Sequence, residues 1–86
     1  MNHFVYLLRC ADNTLYTGYT TNIKRRVACH QQKKGAKYTR GRTPVTLVYF
    51  RSFLTKSEAL KEEYALKQLS RKEKEQLIKR GRSVEC

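Results

Sequence analysis

The chain reads as an α+β domain: a three-stranded, mostly antiparallel sheet flanked by helices, in the order β-β-α-β-α-α. Three observations predict it. Two β-rich stretches, residues 3–9 and 14–20, flank the turn-forming pair Asp12-Asn13. A third, Val45 to Phe53, follows Pro44. Two capping boxes, Thr55-Lys56-Ser57-Glu58 and Ser70-Arg71-Lys72-Glu73, then open two helical stretches.

The first strand, His-Phe-Val-Tyr-Leu-Leu-Arg, is aromatic and apolar, and the second, Thr-Leu-Tyr-Thr-Gly-Tyr-Thr, has strong β-propensity. They form a hairpin whose register the local residues leave open. A two-residue Asp12-Asn13 turn pairs Tyr6 with Tyr19 and sends Tyr16 to the other face. A three-residue Ala11-Asp12-Asn13 loop pairs Tyr6 with Gly18, and Tyr6 and Tyr16 then share a face. Local rules lean toward the shorter turn. Thr21 or Asn22 caps a helix running to about Gln32, with Ile23 and Val27 as its buried stripe and Arg26 and His30 together on one flank. A basic loop, Lys33 to Arg42, leads through Pro44 to the third strand. The two C-terminal helices break near Leu69-Ser70, and a frayed tail is expected from Gly81.

At 86 residues one domain is expected, 1–86 with its core at about 3–80. The balance of 19 Lys and Arg against 7 Asp and Glu leaves a formal charge of +12. A surplus of that size favours a polyanionic partner, through phosphate neutralisation and counterion release. No stretch has the length or apolarity of a membrane span, and the N-terminus lacks the pattern of a signal peptide. The cysteines, Cys10, Cys29 and Cys86, are odd in number and lack CxxC spacing, which argues against a disulfide framework and a zinc finger. Reduced thiols and a cytoplasmic location are the expectation.

Candidate chemistry lies in three places. On the helix after Thr55, residues Ala59, Leu60, Tyr64 and Leu66 predict an apolar arc with Glu63 near its middle and Glu58 and Glu62 outside it. A carboxylate facing a core must be paired or bound to a metal; a Glu63–Lys67 pair at i,i+4 is the simpler alternative. On the helix after Asn22, Arg26 and His30 sit where a helix meets a sheet, a position an ordinary amphipathic helix also fills. The basic loop interleaves Lys33, Lys34, Lys37, Arg40 and Arg42 with Tyr38 and two glycines. Phosphate contact with one ring available for stacking is expected there, against a plain solvated loop.

In this order the residues resemble the GIY-YIG nuclease superfamily. Phe4-Val5-Tyr6 stands where the first motif would be, without its glycine, and Tyr16-Thr17-Gly18 stands at the second. Arg26 matches the catalytic arginine, His30 a position often held by His or Tyr, and Glu63 the metal-binding glutamate. The stretch Lys37 to Arg42 with Pro44 looks like the small stand-alone bacterial members. The chain is also similar to the nuclease domain of structure-specific endonucleases that cut branched DNA. The resemblance spans about residues 3–80. It implies the GIY-YIG fold with Tyr6 and Tyr16 facing one site, hence the longer hairpin loop.

It also implies endonucleolytic hydrolysis of phosphodiesters, with DNA as the first expectation and repair or recombination as the setting. Mg²⁺ or Mn²⁺ would sit on Glu63. Tyr6, assisted by Tyr16, would take a proton from the attacking water. Arg26 would stabilise the transition state, and His30 would pass the proton on or orient Tyr6. The alternative is a non-catalytic nucleic-acid-binding module on the same fold. An unknown protein partner is also possible on either reading.

Overall fold

The computed structural model describes residues 2–32 and 41–81. Strand β1 (His3–Arg9) is the centre of a three-stranded antiparallel sheet, with β2 (Leu15–Thr20) on one side and β3 (Thr46–Phe53) on the other. Helix α1 is Ile23–Gln31, α2 is Lys56–Gln68 and α3 is Arg71–Gly81. The element order is the predicted one.

The hairpin uses the three-residue loop. Tyr6 lies opposite Gly18 and Leu8 opposite Tyr16. Asn13 donates its backbone N–H to Cys10 O at 2.9 Å, and Cys10 N donates to Thr14 O at 2.9 Å, closing a turn on either side of Asn13. Asn13 adopts φ 69°, the left-handed conformation such a loop requires and which Asn accepts at lower cost than most residues. Asp12 fixes the corner by accepting from Thr14 N and Thr14 Oγ1 at 3.2 and 2.6 Å. The Arg42 guanidinium donates to Asp12 at 2.8 Å, so this member of the predicted basic loop is tied to the hairpin. The other loop residues named above, Lys33, Lys34, Lys37, Tyr38 and Arg40, lie outside the described residues, as does Cys86.

Helix ends follow their caps. Asn22 Oδ1 accepts from Arg25 N at 3.0 Å, and Thr55 Oγ1 accepts from Glu58 N at 3.2 Å. Ser70 and Glu73 form a reciprocal box, Glu73 N to Ser70 Oγ at 3.2 Å and Ser70 N to Glu73 Oε1 at 2.9 Å.

The central strand is buried on both faces. On one side Val5 and Leu7 pack with Tyr49, with Ala59 and Leu66 of α2, and with Leu77 and Ile78 of α3. On the other, Tyr6, Leu8 and Cys10 pack with Val45, Tyr16 and Phe50, and with Ile23 and Val27 of α1. A bulge accommodates both sets. The pairing runs Leu7 with Tyr49 and then Leu8 with Leu47, so Val48 has no opposite number. Val48 and Tyr49 can therefore both serve the first face, while Leu47 and Phe50 serve the second.

Candidate active site

The site grows from the face of the sheet that carries Tyr6. Its ring is 1 % exposed, and its phenol oxygen lies 3.0 Å from His30 Nε2. His30 is fully buried near the end of α1. Tyr16 completes the group, its ring centroid 5.3 Å from His30 and 6.4 Å from Tyr6. Three polar rings thus share one small volume between α1 and the sheet.

Gly18 is the residue that lets them. A Cβ at Gly18 would overlap the Tyr6 phenol oxygen, lie 2.5 Å from Tyr6 Cζ and 3.0 Å from Tyr16 Cε2. The Tyr6 ring therefore lies over the backbone of the neighbouring strand, where only a glycine leaves room. The sequence signal was present in the Tyr16-Thr17-Gly18 motif, but nothing in the sequence assigned Gly18 a function. Gln31 was missed as well. Its side-chain amide donates to Val45 O at 2.6 Å and accepts from Val45 N at 2.9 Å, fastening the end of α1 to the residue before β3, one position from His30.

The electrostatics follow from burial. Desolvation pushes the Tyr6 phenol up to about 12, against the pull of the nearby Arg26 guanidinium. His30 is held below the ordinary imidazole range, first by burial and then by Arg26. The pair is thus a neutral phenol beside a neutral imidazole at neutral pH. A neutral imidazole can accept the phenol's O–H, which leaves the phenol oxygen's lone pairs for another donor. Arg26 supplies the cation, its charge favoured first by its hydrogen bond to the Tyr6 phenol. Its Nε is buried and is one of two buried side-chain atoms among the described residues without a hydrogen-bond partner, the other being Thr17 Oγ1.

A polar cleft of about 320 Å³ opens beside Arg26, lined by Thr20, Thr21, Asn22, Arg25 and Cys29.

Glu63 reaches toward this group from α2. Its carboxylate is 19 % exposed, and it counts among the charges acting on the Tyr6 phenol. It is also ion-paired with Lys67 at 3.4 Å, so the simpler alternative from the sequence is realised together with the placement near the site.

The arc of α2 differs from the one predicted. The inward residues are Ala59, Glu62, Glu63 and Leu66, at i, i+3, i+4 and i+7, with Glu62 24 % exposed and ion-paired to Arg51 at 3.6 Å. Leu60 and Tyr64 face outward, 41 % and 69 % exposed. Counting every apolar residue as inward had rotated the helix; the sheet side of α2 is set by the small Ala59 and by Leu66.

Among the described residues no cluster of three or more His, Cys, Asp or Glu side chains could enclose a metal ion. The donor set is a single carboxylate. That chemistry fits a hard cation that keeps its waters and shares a substrate phosphate, and does not fit a zinc-type cage.

Comparison with known proteins agrees with this geometry. The GIY-YIG catalytic domain matches residues 2–76. A UPF0213 protein of Natronomonas pharaonis is 60 % identical over 77 residues, covering 90 % of this chain and 91 % of the relative. The solution structure of the UPF0213 protein BH0048 from Bacillus halodurans superposes with a TM-score of 0.60 at 54 % identity, covering 92 % of this chain and 84 % of that one. The solution structure of EF2693 from E. faecalis superposes at 0.62 with 46 % identity and the same coverage. With the domain matched over most of its length and relatives alike almost end to end, this chain belongs to the GIY-YIG nuclease superfamily, in its group of small UPF0213 proteins.

Proposed function

We propose that this chain is a divalent-metal-dependent endonuclease that hydrolyses phosphodiester bonds in DNA. The observation that carries the reading is the buried Tyr6–His30 hydrogen bond of 3.0 Å, beside Arg26 and over a glycine. Burying two titratable groups is unfavourable unless they satisfy each other by a hydrogen bond, as this pair does, and such desolvated, charge-flanked groups cluster at functional sites.

In this reading His30 accepts the Tyr6 proton at Nε2, and the phenol oxygen then accepts a proton from the attacking water. Arg26 lowers the free energy of the phenolate and of the developing charge on the phosphate. Tyr16 walls the imidazole and excludes bulk water. Glu63 would hold Mg²⁺ or Mn²⁺, which would supply Lewis-acid stabilisation of the scissile phosphate and the leaving oxygen. A phenol at about 12 is not ionised near neutrality, so the cationic surroundings must act when substrate is bound.

A second reading rests on Glu63 itself. Its pairing with Lys67 is what a structural carboxylate shows, and a nucleic-acid-binding module without catalysis would keep it. The two part in a low-salt assay with Mg²⁺ or Mn²⁺ on labelled single-stranded, duplex and branched DNA. Cutting that disappears in Tyr6→Phe and Glu63→Ala, with both variants folded, supports the nuclease. Binding without cutting by the wild-type chain supports the module, and Glu63→Ala cutting at the wild-type rate removes the mechanism.

A further inference from the structure

The outward face of α2 is unusual for a surface helix. Inward it carries two glutamates; outward it carries Leu60 and the largely exposed Tyr64 ring. A shallow cavity of about 690 Å³ lies on this outward face, lined by Lys56, Ser57, Leu60, Lys61 and Tyr64. At about 100° per residue, the helix surface running outward from Glu63 meets Lys56, Lys67, Leu60, Tyr64, Ser57, Gln68 and Lys61 in turn. This arc holds three lysines and no carboxylate beyond Glu63, because Glu58 and Glu62 fall on the opposite flank.

We propose that this face is a stacking platform for an unpaired nucleobase, on the strand whose backbone passes Glu63. The proposal rests on the nucleic-acid reading above and adds to it the kind of substrate. Charge complementarity selects the occupant. An aromatic ring open to solvent gives a base a surface to stack on, and lysines on either side offer cations to the flanking phosphates. A protein partner docking through Leu60 and Tyr64 would have to cover the same lysines and answer them with carboxylates. A duplex presents no free base face to Tyr64, so the platform discriminates for single-stranded or branched nucleic acid over continuous duplex.

The chain has no tryptophan, so Tyr64→Trp places one reporter at an exposed position. Without metal, titration with an oligothymidylate is expected to quench the indole emission, and titration with a blunt duplex to leave it largely unchanged. Tyr64→Leu, which keeps apolar area and removes the ring, is expected to weaken single-strand binding about fivefold or more while duplex binding holds. Replacing Lys56 and Lys61 with alanine is expected to flatten the salt dependence of single-strand binding by roughly 0.7 log units per lost contact.

Binding by fluorescence anisotropy without quenching overturns the platform, as does equal quenching by duplex. An emission shift that grows with protein concentration in the absence of DNA also overturns it, in favour of a second copy of the chain. Quenching without cutting by wild type removes only the nuclease reading, and cutting without quenching removes only the platform.

Discussion

The two faces of the central strand do different work with the same backbone. Val5 and Leu7 meet Ala59, Leu66 and Tyr49, a set chosen for apolar contact. One residue out of phase, Tyr6 and Leu8 meet His30, Tyr16 and α1, where buried groups carry protons. Each fully buried Leu or Val contributes about 1.5–3 kcal/mol by leaving water. A phenol and an imidazole must first recover the hydrogen bonds they lose. The difference teaches that both faces hold the fold by apolar packing, while one of them also carries titratable groups within it.

Paired substitutions on β1 break the comparison most sharply. Leu7→Ala should destabilise the chain by about 2–5 kcal/mol, read by urea or thermal unfolding, with activity per folded molecule kept. Tyr6→Phe should do the reverse: stability within about 1.5 kcal/mol of wild type, and cleavage down by roughly 100- to 10,000-fold. Equal stability losses from the two would erase the distinction between the faces.

Gly18→Ala falls between these. The added methyl collides with the Tyr6 ring and the backbone below it cannot yield, so about 1–3 kcal/mol of stability should go together with most of the activity. A crystal or NMR structure of the variant should show the Tyr6 ring displaced from His30. An undisturbed ring would mean the strands can separate locally.

Titration separates the faces more gently. Glu75 of α3, joined to Arg9 at 2.7 Å and to Arg71 at 2.9 Å, is held down to about 2, with the Arg9 hydrogen bond as the largest cause. Its contribution is complete above about 4.5 and is lost as pH falls toward about 2. Glu75→Gln should therefore flatten the acid side of the stability profile in that window.

The smallest expected effect comes from His30. Because the folded pKa lies below the ordinary 6.5, the unfolded chain takes up the proton first, and stability should decline as pH falls below about 6.5. The wild-type stability difference between pH 7.5 and 5.5 should shrink in His30→Gln. If it is unchanged, the imidazole is not the group responsible.

Much of this was legible in the chain. The element order, the breaks, the Thr55 cap and the Ser70–Glu73 capping box follow from local residues, because caps and turns are decided by near neighbours. The hairpin register was not: Asp12-Asn13 alone favours the shorter turn, and the chain takes Ala11 into the loop because Tyr6 must meet Gly18 and Tyr16. The rotation of α2 also escaped a count of apolar residues. Leu60 is as apolar as Leu66 and the Tyr64 ring is largely so, and only the sheet they fail to face reveals them as surface. Arg26, His30 and Glu63 are visible as types at spacings, whereas their convergence on Tyr6 is a tertiary fact.

Gln31 holds Val45 as a strand neighbour would, with one bond in each direction. The chain is therefore closed between residues 31 and 45 by a side chain. Lengthening such a segment twofold adds only about 0.6 kcal/mol of closure entropy. His30, one position before the clasp, is therefore held in its bearing on Tyr6 by bonds made at residues 31 and 45.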